Sequence, residues 1–527
     1  MMHPDGMHFH HGPREIDTGV TRRDFLRGSL ALGAGIVVSR LALDAWEPVL
    51  AQAAESQLPP VTSFLKQDQV QELLKIALSK GAEFAEVYGE YTINTAFVLD
   101  ENELRQAQYG ILSGVGVRVL SGEVTGYAYA DDYEMASLRE AARVAASAAA
   151  SGAAGKPKAF AVSPAKSPFV LQRPAPLFTT EIGKIERCQR ANQAARAKDP
   201  RIKQVQVTMA DTAKAILVAN SEGLWAEDRQ FISSLVCVPT AIDGTNRQTG
   251  ISIGGGAVEL DYFETNTPEM IANDAADTAI ALLGAVDAKA GSYPVIINKG
   301  WGGVLVHECF GHSLEGDGIR KKTSIREKQF GQKVCADIVD IYDDSTVPNC
   351  RGSFKVDDEG TPSQKSHVVE KGILKGYLWD RLNAKLTGNV SSGNGRRNSY
   401  RDYPIPRMTN TYIGGGTSDP QALLGSVKNG LFCKSLGGGS VNPADGNFSF
   451  VVQEAYLIEG GKITSAVKGA TLTGNAADAM LRVEGLGNDL KIDTTRGTCG
   501  KDGQFKPVGV GQPTVLFSEM TVGGTRA

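Results

Sequence analysis

Apolar residues recur at helical spacing between Asp68 and Lys80, with Val70, Leu73, Leu74, Ala77 and Leu78 on one face and Gly81 ending the run. From Ala82 to Tyr91 the pattern becomes strand-like, and Val115, Val117 and Val119 alternate with Gly116 and Arg118 in the same way. Tyr133 to Ala150 reads as an alanine-rich helix stopping near Gly152, and Thr180 to Lys198 as another, with a loop dominated by Pro and Ala between them. Between Val205 and Leu260 the rhythm changes to short alternating runs. These are broken at Asn220-Ser221-Glu222-Gly223 and at Asp243-Gly244, which predicts antiparallel hairpins. A helix over Pro268 to Leu283 leads to a glycine-rich hinge around Gly291, and Tyr293 to Ile297 reads as a buried strand feeding a helix that begins near Gly300. Beyond Asp317 the chain is mostly short strands, with turns at Asp357-Asp358-Glu359-Gly360, Ser392-Gly393-Asn394-Gly395 and Glu459-Gly460-Gly461. The pattern as a whole predicts an α+β protein: an α/β domain over residues 60–290, then a β-rich, mainly antiparallel domain over 291–527.

At 527 residues the chain is long enough to bury a full core without a metal or a disulfide, so a metal site here signals function before stability. Lys and Arg number 55 against 59 for Asp and Glu, with no basic stripe, which argues against a nucleic-acid partner. Three Gly-Gly-Gly clusters, at 254–256, 414–416 and 437–439, lack the Lys-Ser/Thr and the helix of a phosphate-binding loop and read as bulges or close backbone approaches. Seven cysteines lie far apart with no C-x-x-C pair, so they make no disulfide framework.

Two of the only three histidines beyond residue 11 stand together in His307-Glu308-Cys309-Phe310-Gly311-His312; the third is His367. Neutral imidazoles bind zinc and its neighbours, and a glutamate beside such a site can take a proton from bound water, so the segment reads as a hydrolytic metal centre with Glu308 as the base. The spacing is not the familiar i, i+4, because at 3.6 residues per turn an i, i+5 pair diverges by roughly 140°. Either the turn is widened, as in a π-bulge, or the helix loosens at Gly311. In the competing geometry the helix stays regular and Glu308, His312 and Glu315 share a face, which would make Glu308 a ligand.

A catalytic zinc site usually has three protein ligands, so one is missing from the motif. His367, Glu315, Asp317, Cys309 and Cys499 are the candidates. Cys499 lies in the glycine-flanked loop Arg496-Gly497-Thr498-Cys499-Gly500-Lys501, which can bring a thiolate close to a metal. The residues alone leave the choice open.

The N-terminus holds Thr21-Arg22-Arg23-Asp24-Phe25-Leu26-Arg27, a weakly apolar run of about eleven residues from Gly28 to Val38, and Ala51-Gln52-Ala53. This order resembles a twin-arginine signal peptide over residues 1–53, and the run is too short to span a bilayer. The expected location is therefore periplasmic or otherwise outside the cytoplasm, with the membrane touched only during export.

Longer stretches carry a family resemblance. They are His307 to His312 with Ser313-Leu314-Glu315-Gly316-Asp317; Asp357-Asp358-Glu359-Gly360-Thr361-Pro362; Gly372-Ile373-Leu374-Lys375-Gly376-Tyr377; Asn394-Gly395-Arg396-Arg397; Pro406-Arg407-Met408-Thr409-Asn410-Thr411; and Gly497-Thr498-Cys499-Gly500. Over residues 60–527 the chain resembles the TldD/PmbA (TldE) metallopeptidases, in the TldD type that keeps the metal motif. The resemblance implies that His307, His312 and Cys499 bind Zn²⁺, that Glu308 is the general base, and that the substrate is unfolded peptide. It also implies a dimer, with a second copy or a TldE-like subunit. Glu315 and Asp317 are candidates to hold the imidazoles from behind. Arg396 and Arg397 are candidates to anchor a peptide carboxylate or the oxyanion, although an ordinary structural ion pair is the commoner fate of such a pair. Two other functions fit the residues: a non-catalytic metal- and peptide-binding subunit, and a thiol hydrolase using Cys499 or Cys309 with a histidine.

Overall fold

The computed structural model describes residues 61–150, 163–164 and 181–525; residues 1–53, which the sequence reads as a signal peptide, lie outside them. Four long strands, Phe84–Asp100, Glu103–Ser121, Ile202–Asn220 and Leu224–Asp243, build the first sheet. Its order runs from Val124–Ala130 through Glu103–Ser121, Phe84–Asp100 and Ile202–Asn220 to Leu224–Asp243, with every one of these neighbours antiparallel. The turn at Asn220 forms as the sequence predicts. The Asn220 side chain accepts from the amides of Glu222 and Leu224, and Gly223 takes the left-handed conformation.

The strands are much longer than the short runs expected between Val205 and Leu260, because alternation disappears where both faces of the sheet are covered. On one face Val205, Val207, Met209, Leu235 and Cys237 pack against Cys188, Ala191 and Ala195 of helix Glu181–Lys198 and against Ile271, Ala272, Ala275 and Ala279 of helix Pro268–Leu283. On the other face Tyr88, Ile216, Val218 and Ala226 meet Val356 and Tyr400 from the second half of the chain. Helix Met135–Ala149 lies on the edge strand so closely that a side chain at Gly126 would strike the Ala145 carbonyl.

The second half is β-rich. Asn429–Val441, Gly291–Ile297, Val515–Gly523, Thr471–Asn475 and Asn447–Glu459 pair in that order, and the last pairs back to the first, closing a ring of five strands. Val295, Leu431, Cys433, Phe450, Leu472 and Phe517 are part of the core cluster to which these strands contribute. The glycine clusters behave as read from the sequence. Register shifts across Gly437–Gly439, Gly416 abuts the Leu486 carbonyl, and Gly255 and Gly256 take positive φ against the carbonyls of Ser233 and Asn349.

A second sheet of six strands includes Asn410–Ile413 beside Gly509–Gln512. The latter fixes the start of the motif helix, since a β-carbon at Gly302 would meet the Gln512 side chain and one at Gly303 the Gly511 backbone. No helix among the described residues is long and apolar enough to cross a membrane.

Candidate metal centre

Strand Gly291–Ile297 runs directly into a helix that changes type along its length. It is 3₁₀ over Gly300–Gly303, α over Val304–Val306, π over His307–Gly311 and 3₁₀ again over His312–Leu314. The π turn resolves the spacing problem by carrying the i+5 residue back over the first. The two imidazoles meet edge to face, with ring centroids 5.5 Å apart. The distortion is a widened turn and not an unravelling, because Gly311 keeps helical dihedrals.

The third partner arrives on the hairpin Thr498–Lys501 and Gln504–Pro507. Its entry requires glycine: Gly497 has φ of +113°, and a side chain there would collide with the Val508 carbonyl. The ligand atoms of His307, His312 and Cys499 all lie within 4.8 Å of one another, and Cys499 Sγ is 3.2 Å from His312 Nε2. Burial pushes the Cys499 thiol up, but the imidazoles of His307 and His312 outweigh it and bring it down to about 5. Buried His307 Nδ1 has no hydrogen-bond partner among the described residues. Two imidazoles and a thiolate form a donor set suited to zinc or a similar borderline-soft cation, and the unsatisfied nitrogen fits such a use.

Glu308 borders the cluster, with Oε2 3.8 Å from His312 Nε2. Burial raises its carboxyl pKa, partly offset by the two histidines. Glu315 faces the other side of His312, with Oε2 3.3 Å from Nδ1. Burial alone would raise the Glu315 carboxyl, yet Lys501, His312 and Arg407 hold it down to about 2. Lys501 Nζ lies 3.1 Å from Glu315 and 2.7 Å from Asp317.

The other candidates lie elsewhere. Cys309 is buried in the core, where burial pushes its thiol up, and His367 stacks on Tyr342 and pairs with Asp340 at 3.1 Å. Arg396 and Arg397 are buried rather than open to a substrate. Arg396 donates to the carbonyls of Met408 and Pro507, and Arg397 to Glu86 and the Asp358 carbonyl, so Arg397 is in a structural ion pair while Arg396 is held by carbonyls alone. Sequence reasoning gave no role to Arg407 or Lys501. The only available signal was that Lys501, two residues past Cys499, shares its face of a strand.

Residues 85–149, 176–283 and 290–524 match, in turn, domain 1, the central domain and the C-terminal domain of the PmbA/TldA metallopeptidases. The metalloprotease TldD homolog of Haemophilus influenzae is 38% identical over 484 residues, covering 90% of this chain and 100% of the relative. This chain belongs to the PmbA/TldD metallopeptidase family. A zinc metalloprotease TldD homolog of Saccharolobus solfataricus is 29% identical over 309 residues, covering 57% of this chain and 68% of that relative. Among solved structures, TldE from Thermococcus kodakarensis superposes with a TM-score of 0.69 at 20% identity, covering 86% of this chain and 100% of that one, so the two share a PmbA/TldD fold.

Proposed function

We propose that this family member is a zinc-dependent peptidase acting on unfolded peptides, with His307, His312 and Cys499 as the metal donors and Glu308 as the general base. The observation that carries the proposal is the convergence of two imidazoles and a buried thiolate beside a carboxyl group whose pKa burial has raised. The name of the Saccharolobus relative supports the choice of zinc. Bound there, zinc would acidify a water and polarise the scissile carbonyl. Glu308 takes the proton from the attacking water and returns it to the leaving nitrogen, and a raised carboxyl pKa suits both steps. Glu315 engages His312 Nδ1 and so keeps Nε2 turned toward the cluster.

Elemental analysis of the wild type beside His307→Ala and Cys499→Ala, with peptide hydrolysis followed in the same samples, tests the reading. About one zinc per chain, lost together with activity in both variants, is expected for a three-donor site. A metal-free wild type that still cleaves would overturn it.

One observation favours a second reading: Cys499 Sγ, His312 and Glu315 line up as thiol, imidazole and carboxylate, the order of a thiol hydrolase triad. Such an enzyme would keep its activity in the presence of chelators, whereas the zinc peptidase would lose it; alkylation of Cys499 would stop both.

We also infer export by the twin-arginine route and assembly as a homodimer or with a TldE-like subunit, the latter supported by the shared fold with TldE. Replacing Arg22 and Arg23 with lysine should retain the protein in the cytoplasm on cell fractionation.

A further inference from the structure

His312 and Cys499 reach the site on pieces of backbone 187 residues apart. Two cations join those pieces. Arg407, fully buried, donates Nη2 to the Cys499 carbonyl at 2.6 Å and Nη1 to the Gln504 carbonyl at 3.0 Å, so one planar guanidinium ties both strands of the cysteine hairpin. Its Nε stands 3.6 Å from Oε1 of Glu315, the carboxylate whose other oxygen faces His312 Nδ1. Lys501 on the same hairpin contacts Glu315 and Asp317 on the helix side and also reaches the Pro406 carbonyl at 3.4 Å. Lys501 from the hairpin and Arg407 from the segment between strands Ile405–Pro406 and Asn410–Ile413 thus both meet the Glu315 carboxylate that follows the histidine helix.

We propose that Arg407 and Lys501 are positioning residues of the metal centre, clamping the Cys499 hairpin to the helix so that sulfur and imidazoles converge before a metal arrives. This rests on the reading of His307, His312 and Cys499 as metal donors. The diverging nitrogens of a guanidinium hold two carbonyls and face a carboxylate at once, which the single point of a lysine ammonium does not do. Without the clamp Glu315 loses two cations and its hold on His312 slackens. The Cys499 carbonyl loses its donor, and the Thr498–Lys501 strand is held less tightly, although Arg396 and Lys506 still anchor the strand beside it. Losing such supporting contacts weakens metal binding by about 10- to 100-fold in comparable sites.

The test uses the full chain as wild type, Arg407→Lys, Lys501→Ala and Lys501→Arg. Each protein is stripped of metal, titrated with Zn²⁺ against a chromophoric chelator, and titrated separately with Co²⁺ while the thiolate-to-cobalt charge-transfer band is recorded. Arg407→Lys and Lys501→Ala should bind zinc about 10- to 100-fold more weakly and show a diminished band per bound cobalt. Lys501→Arg should recover most of the loss.

A merely structural role would lower the unfolding temperature of the stripped protein and leave the band per bound cobalt unchanged, and that outcome overturns the clamp, as does wild-type zinc affinity in both variants. A wild type that takes up neither metal would overturn the donor assignment itself and the clamp with it. Lys501 is partly exposed, so Lys501→Ala carries the test if Arg407→Lys does not fold.

Discussion

The sulfur of Met408 stands where a β-carbon on Gly311 would have to be. Met408 is fully buried, so it cannot swing out into solvent to make room. Gly311→Ala should therefore destabilise the protein by about 1–3 kcal/mol through overpacking and disturb the π turn that aligns His307 with His312. On a Met408→Ala background the same substitution should cost less, because the clashing sulfur is gone. In a double-mutant cycle on unfolding free energies, simple additivity would show that the two side chains do not press on each other.

Glu308→Gln keeps the size of the side chain and removes its ability to accept a proton. Zinc content should be unchanged while hydrolysis falls by roughly 10²- to 10⁴-fold, the usual contribution of a positioned acid–base group. Full activity in this variant, measured as initial rates on an unfolded peptide, would remove Glu308 from the mechanism.

Burial and the neighbouring charge of Glu359 push the Asp380 carboxyl up to about 7. The native state then holds a proton that the unfolded chain releases near pH 4, so stability falls as pH rises from about 4 to about 7 and levels off above. Asp380 also caps the helix Arg381–Thr387 through the Asn383 amide, a task that asparagine performs equally well. Asp380→Asn should flatten the pH dependence and leave the protein more stable at pH 8 by on the order of 1 kcal/mol, with little difference near pH 4. Urea unfolding at several pH values checks this, and parallel curves for variant and wild type would contradict it.

Arg397 ties the two halves of the chain together through Glu86 in the first sheet and the Asp358 carbonyl. Both side chains of the ion pair are fully buried, so Arg397→Ala leaves Glu86 charged without its nearest partner and should cost about 3–5 kcal/mol. The KM of the folded fraction for peptides with a free carboxylate should not move. A raised KM with unchanged stability would instead assign Arg397 the substrate-anchor role.

Features with local causes were legible in the sequence. Helix Gln67–Ala77 falls within the periodic run from Asp68 to Lys80 apart from its first residue, and Pro268–Leu283 begins and ends where its proline and Gly284 mark it. The need for a distorted turn followed from counting residues between His307 and His312.

What stayed hidden depends on partners distant in sequence. Strand Ile202–Asn220 loses its alternation after Thr212 because Val356 and Tyr400 help cover its second face, and no local pattern announces them. Arg396, Arg397 and Arg407 look alike as basic residues in turns, and only the carbonyls and carboxylates that surround them separate their uses. The pairing of Gly291–Ile297 with Val515–Gly523 joins segments that no short-range rule connects.

That pairing also sets a timetable. The ribosome makes the wall of the five-strand ring that leads into the histidines long before the strand that seals it, so during synthesis the emerging chain carries the two imidazoles without the sulfur that completes the donor set. Contacts so remote along the chain form slowly, because the intervening loop must close before they are rewarded. With Cys499 in its proposed role as a metal donor, discrimination among metals by the thiolate would begin only when the cysteine hairpin docks, and the compartment in which folding finishes would decide which ions compete for the site.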